Sequence, residues 1–193
     1  MPRHREFDPS KVLDTAILLF WKKGFFDASV DELVRLSGVA KYGIYGTFGN
    51  KRELFEKALA QYAEDRRKDI QSSIRKKNAS LPEVIDFFKS LPKKLTKREF
   101  QYGCLMVNTG VELGVRDAEF SHIVKEFFDE STQVMCECLD RAVEQNQLEN
   151  TTDTKRVAQY LITEFRAVLM LAASGHTRKE LQQHLDIALR VLQ

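Results

Sequence analysis

Residues 29–51, SVDELVRLSGVAKYGIYGTFGNK, constrain this chain more than any other stretch. Ser29 followed three residues later by Glu32 predicts a capping box, each side chain satisfying a backbone N–H left open in the first helical turn. Gly38 falls where that helix must stop and reverse, a place that favours left-handed backbone and hence glycine. Leu33, Leu36, Val39 and Ile44 give the segment an apolar side, and Asn50 with Glu53 predicts the cap of a further helix. Two short helices joined by a glycine turn form a helix-turn-helix, in which the second helix lies in the major groove of DNA.

The remainder also reads as helix. Asp8-Pro9 is a helix start, a capping carboxylate before a proline whose missing N–H costs nothing in the first turn. Val12, Ala16, Leu19 and Phe20 follow at helical spacing until Gly24. Leu54, Phe55, Ala58, Leu59 and Tyr62 carry a fourth helix toward residue 77, with a basic far end that suits a solvated C-terminus. Ser80 opens a fifth helix, expected to end before Pro92, and residues 92–99 read as a basic connecting loop. A short apolar helix over 104–113 precedes a long one over 117–147, with Phe120, Ile123, Phe127, Val134, Cys138 and Ala142 on one stripe. Helices over 153–173 and 177–192 complete the chain, the last with a T-x-x-E cap at Thr177 and Glu180. No period-two strand pattern of useful length and no internal repeat occurs, so the expected fold class is all-α.

Charge is unevenly distributed. Residues 1–77 hold 16 Lys/Arg against 11 Asp/Glu, and residues 78–193 hold 14 against 17. A basic front on a mildly acidic rear suits a module that meets phosphate at one end only. Three cysteines form no disulfide framework and point to a reducing compartment. Cys136 and Cys138, two apart on a helix, point roughly 200° from each other and cannot grip one metal. The opening residues lack the apolar core of a signal peptide, and the longest apolar run, 167–173, is far below the ~20 residues of a membrane helix. The expected location is the cytoplasm, with no membrane partner.

At this point the sequence resembles the TetR family of bacterial transcriptional regulators. The resemblance rests on residues 19–55: the first helix ending at Gly24, the Ser-capped second helix, Gly38-Val39, the Tyr45-x-x-Phe48 pair and Lys51 three residues beyond it. It implies a DNA-binding domain over residues 1–50, completed by the start of the helix at 51–77, and an effector-binding and dimerisation domain over 51–193. Carried over position by position, the family's DNA contacts fall on Ser29, Lys41, Tyr42, Gly43, Tyr45, Thr47 and Lys51. Ser29, Tyr45, Thr47 and Lys51 suit backbone anchoring, and Lys41, Tyr42 and Gly43 suit base reading. Ala40, Ile44 and Phe48, spaced i, i+4, i+8, are expected to face the core. Ala40 departs from the family's Ser or Thr and removes a cap worth ~1 kcal/mol.

The resemblance further implies a homodimer through the last two helices, a palindromic double-stranded operator, and a small apolar or aromatic effector that releases it. Leu181, Leu185, Ala188, Leu189 and Leu192 have the spacing of a helix-bundle seam, which serves either a two-fold mate or the monomer's own core. Phe87, Phe88, Met106, Phe127, Phe128 and Phe165 are candidates to line the effector cavity or simply to fill the core. Asn108, Glu112, Glu164 and Arg166 could orient a ligand's polar end or pair with one another. Cys104, at the expected start of the sixth helix, offers an alternative as an electrophile or redox sensor, against an inert buried thiol. A helical metalloenzyme is the remote alternative: Glu119-x-x-His122 copies half of a di-iron site, but no second copy exists. No phosphate loop, zinc HExxH or GxSxG elbow occurs, so no catalysis, cofactor or metal is expected.

Overall fold

A computed structural model describes residues 7–69, 72–95 and 102–193. Its helices are α1 (Pro9–Asp27), α2 (Val30–Ser37), α3 (Lys41–Phe48), α4 (Lys51–Asp69), α5 (Leu81–Leu95), α6 (Leu105–Leu113), α7 (Ala118–Glu144), α8 (Thr154–Ala173) and α9 (Arg178–Ala188), with a 3-10 turn over Leu189–Leu192. No strand occurs among the described residues, and the fold is all-α. The chain divides into two compact units, Met1–Asp65 and Arg66–Gln193, and the divide falls inside α4.

In the first unit the helix starts follow local capping chemistry. The Asp8 carboxylate accepts the Ser10 N–H at 3.0 Å and Pro9 opens α1. Gly24 breaks that helix at φ 78°, ψ 179°, after which one more helical turn runs to Asp27. Ser29 Oγ accepts the Glu32 N–H at 3.1 Å, but the Glu32 carboxylate turns away to Lys23 Nζ at 2.6 Å. The expected capping box therefore closes on one side only, because a charge-assisted partner outcompetes a neutral backbone donor. The second box is reciprocal: Asn50 Oδ1 accepts from the Glu53 N–H, and Glu53 Oε2 accepts from the Asn50 N–H at 2.7 Å.

Val12, Ala16, Leu19 and Phe20 of α1 pack with Leu33, Ile44, Phe48, Leu54, Phe55 and Tyr62 as the buried core of this unit. Phe55 is the hub, 4.7 Å from the Phe20 ring centroid and 5.1 Å from that of Phe25. Leu36, expected inside, is half exposed at 50%. The inward stripe of α2 is Val30 and Leu33, and Leu36 lies roughly 90° around the axis from its centre. Ala40 is exposed as well, since it precedes α3 rather than lying within it.

In the second unit, α5 runs through Pro92 to Leu95 instead of stopping before the proline. Leu91, Pro92 and Leu95 are all buried there, so apolar packing holds a helix that loses one backbone hydrogen bond at the ring. The rest of the expected connector, 96–99, lies outside the described residues. The fourth helix is described only to Asp69, and residues 72–78 form turns and bends rather than continuing it. Its basic end is not simply solvated. Arg67 Nη2 meets Glu130 Oε2 of α7 at 2.5 Å, and Arg75 Nη2 meets Glu130 Oε1 at 3.1 Å. A partner more than fifty residues away leaves no local trace in the sequence.

The buried stripe of α7 runs through Phe120, Val124, Phe127, Phe128, Met135, Cys138, Leu139 and Ala142. Val124 and Met135 take the inward places expected of Ile123 and Val134, which are half-buried. Phe87, Phe88 and Phe165 join α5 to α8, with Phe87 5.0 Å from the Phe88 ring centroid and 5.3 Å from that of Phe165. Buried hydroxyls are satisfied inside their own helices, Thr109 donating to the Leu105 carbonyl and Ser131 to that of Phe127. The cap at Thr177 and Glu180 forms in both directions.

Candidate nucleic-acid interface

The turn between α2 and α3 is built on Gly38, whose φ of 71° places its N–H 2.9 Å from the Val34 carbonyl oxygen. Only a residue free to take left-handed backbone ends α2 this tightly. Ile44 and Phe48 then anchor α3 to the core and leave its other sides open. Tyr42 is 83% exposed, Tyr45 is exposed beside it, and Gly46 has nothing within 4 Å of where a Cβ would be. Ala40 supplies no side-chain cap, so the first N–H groups of α3 lack that stabilisation. At the other end Lys57 Nζ donates to the Phe48 carbonyl at 2.7 Å, a cation where the helix dipole is negative.

Ser29 is exposed at the start of α2, its oxygen accepting from Glu32 while its O–H remains a donor suited to a phosphate. Thr47 is half-buried on the flank of α3. Lys51 folds back on its own unit: its Nζ donates to the Phe26 carbonyl at 3.2 Å and stands 4.7 Å from the Phe25 ring centroid. Gly43 is half-buried, with Phe7 and Val39 against it. Lys41 Nζ is held by Asp31 Oδ1 at 2.8 Å, and this hydrogen bond, then the attraction of opposite charges, raises the lysine above its usual range.

Asp31 is the residue that sequence reasoning missed. It places a carboxylate beside the exposed face of α3, where it engages the Lys41 ammonium. An opposite charge ten residues away across the glycine turn was the available signal. Asp31→Asn is expected to raise affinity for random duplex DNA roughly 3–10-fold at low salt and to steepen the salt dependence by about one counterion. Fluorescence anisotropy with random and operator duplexes checks it; random-sequence affinity equal to that of the unmodified protein would contradict this role.

In the second unit, α6, α7 and α8 enclose an open groove of about 500 Å³. Val107, Val124, Phe128 and Met170 line it with the polar groups of Lys125 and Arg166. Lys125 pairs with Asp129, and the Arg166 guanidinium lies 4.4 Å from the Phe128 ring centroid. Of the residues expected from sequence to meet an effector, Phe128 and Arg166 line this groove. Phe88, Cys104, Met106, Phe127 and Phe165 are buried in the packed interior, and Asn108 Nδ2 donates to the Tyr102 carbonyl at 2.8 Å. Glu164 pairs with His184 at 2.6 Å, and His122 pairs on the surface with Glu126. Cys136 points to Asp140 and Thr154 while Cys138 donates to the Ile74 carbonyl, and burial pushes both thiols up.

A glycine-turned helix pair with an exposed lysine–tyrosine face, followed by a separate all-helical unit, defines a helix-turn-helix regulator of transcription. Residues 12–58 match the family model for bacterial regulatory proteins of the tetR family, and residues 80–188 match that for the tetracyclin repressor-like C-terminal domain. The chain belongs to the TetR family. It is 27% identical over all 193 residues, 100% of both chains, to the HTH-type transcriptional regulator YezE of Bacillus subtilis (strain 168). It is 22% identical to the HTH-type transcriptional repressor ComR of Escherichia coli (strain K12), covering 98% of this chain and 90% of ComR. Among solved structures, a cysteine mutant of the TetR family regulator CifR, complexed with 26-bp operator DNA, has the same fold. It superposes with a TM-score of 0.87 at 24% identity, over 97% of this chain and 98% of that one.

Proposed function

We propose that this protein is a repressor that holds a palindromic operator as a homodimer and releases it when a small apolar or aromatic molecule binds the second unit. The observation that carries the reading is the exposed face of α3, where Lys41, Tyr42 and Tyr45 stand clear of a core anchored by Ile44 and Phe48. Lys41, Tyr42 and Gly43 are assigned to the bases, and Ser29, Tyr45, Thr47 and Lys51 to the phosphates. DNA reading is assigned to residues 1–50 with the start of α4, and effector binding with dimerisation to the remainder. The name of ComR, a repressor, and the operator DNA bound by CifR support this assignment.

Dimerisation is assigned to α8 and α9. Tyr160 of α8, Ile187 of α9 and Val191 of the 3-10 turn that follows are exposed large apolar side chains, a face that suits an isologous four-helix contact. Two α3 helices related by that axis would meet half-sites one helical turn, ~34 Å, or a multiple apart. The groove of α6, α7 and α8 is the effector's proposed entry, with Phe128 and Met170 taking its apolar part. An effector acts by favouring a dimer whose α3 helices no longer match that spacing. The assignment involves no catalysis and a cytoplasmic location. Among the described residues no helix is long and apolar enough to cross a membrane.

The test combines light scattering with selection of bound genomic fragments across a salt series. A mass of twice 22.3 kDa, a palindromic consensus and affinity falling steeply with salt are expected. A monomer at micromolar concentration, or weak salt-insensitive DNA binding, would overturn the proposal.

A further inference from the structure

No carboxylate answers Arg166. Its guanidinium lies 4.4 Å from the Phe128 ring centroid, and among the described residues it has no ion pair and no hydrogen bond. Glu164, two residues earlier on α8, is engaged by His184 at 2.6 Å. Asp129, which lines the same groove as Arg166, is engaged by Lys125. Lys125 and Asp129 stand at i, i+4 on α7 and cancel one another. Of the charged side chains that line the groove, Arg166 is therefore left with an uncompensated positive charge.

Around that charge the walls are apolar. Val107 with Val111 on α6, Val124 with Phe128 on α7, and Arg166 with Met170 on α8 are each spaced i, i+4, so each helix turns one face to the groove. A Cβ on Gly110 would stand 3.3 Å from Val124 Cγ1, so glycine there lets α6 lie close against α7. Val111 and Met170 are exposed, apolar surface that a ligand would take out of water. The volume of about 500 Å³ lies within the roughly 300–1,000 Å³ of small-molecule sites. Contact with the face of Phe128 holds the guanidinium in place, and its in-plane N–H groups can grip both oxygens of a carboxylate.

We propose that this groove takes an amphipathic organic acid, its carboxylate gripped by Arg166 and its apolar body laid along Val107, Val124 and Met170. The inference rests on the effector reading above and narrows it from an apolar molecule to a monocarboxylate. A neutral molecule of the same shape would cover the guanidinium without answering its charge, and that desolvation opposes binding. A carboxylate offsets it with two charge-assisted hydrogen bonds. Discrimination between acid and neutral compound thus falls to one side chain, while the apolar walls supply affinity roughly in proportion to the area they cover.

The test titrates the full chain calorimetrically, without DNA, with octanoate and with octanamide, its neutral match in length and shape. Octanoate is expected to bind about 10–100-fold more tightly, and to lose affinity with rising salt where octanamide does not. Arg166→Gln is expected to bring octanoate down to the level of octanamide while octanamide binding stays unchanged, which also shows that the variant is folded. Lys179→Gln, a charge control on α9, should keep the preference. Octanoate should also release an operator selected from genomic fragments from the unmodified protein, and at the same concentration leave it bound to the Arg166→Gln variant. Equal affinity for acid and amide, binding of neither, or a preference for the acid that survives Arg166→Gln overturns the inference and leaves the regulator reading intact. Arg166-dependent binding of octanoate with no change in operator affinity upholds the acid site and overturns its role as the effector's entry. An unmodified protein that binds no duplex overturns the regulator reading, and the calorimetry still decides the acid site.

Discussion

Phe87→Ala is expected to destabilise the second unit by ~3–5 kcal/mol, because it removes a ring from a closed aromatic cluster and leaves a cavity. Phe87 is 1% exposed and lies within ring contact of both Phe88 and Phe165. At ~2–4 °C per kcal/mol for a chain of this size, the melting temperature should fall by roughly 6–20 °C. Calorimetry or thermal circular dichroism reads it directly. A change below about 1 kcal/mol would mean that the ring borders an open cavity rather than packed interior. The same experiment thus separates a structural phenylalanine from one that lines an effector site.

Lys41→Ala is expected to lower operator affinity about 10–100-fold, the range for losing one good base contact of ~1–3 kcal/mol. Affinity for random duplex should fall far less, because Lys41 is already engaged by Asp31 in the free protein. Lys51→Ala should instead weaken all sequences alike, since a phosphate contact carries no base information. It should also loosen the end of α1, where the ammonium holds the Phe26 carbonyl and the Phe25 ring. Parallel titrations with operator and random duplexes measure the two ratios. Equal losses on both DNAs for both variants would remove the division between reading and anchoring.

The helices were legible because their punctuation is local. Asp8-Pro9, Ser29, Gly38, Asn50 with Glu53, and Thr177 with Glu180 act within a few residues, and each cap or turn acts where the residue types place it. What escaped depended on distant partners. Pro92 stays helical because Leu91 and Leu95 are buried around it, and Glu130 finds Arg67 and Arg75 from another helix. At the candidate interface the residue types and their spacing identified the exposed face of α3. They could not reveal that Lys41 is tied to Asp31, that Lys51 lies over a ring, or that Gly43 makes room for Phe7. In the second unit, phenylalanine content marks both core and cavity, and only packing distinguishes Phe128 at the groove from Phe88 inside.

The Glu130 seam has a consequence for acid tolerance. The Arg67 hydrogen bond, followed by the two guanidinium charges, holds the Glu130 carboxyl below the usual glutamate range. A depressed folded-state value means that its contribution to stability is complete above the unfolded pKa of ~4.3 and disappears only as pH falls through the lower folded one. Mild acid, at which ordinary glutamates begin to take up protons, should leave the last turn of α4 fastened to α7. Glu130→Gln should shift the onset of acid unfolding toward neutrality, and an unchanged onset would show that the two arginines have no energetic need of this carboxylate.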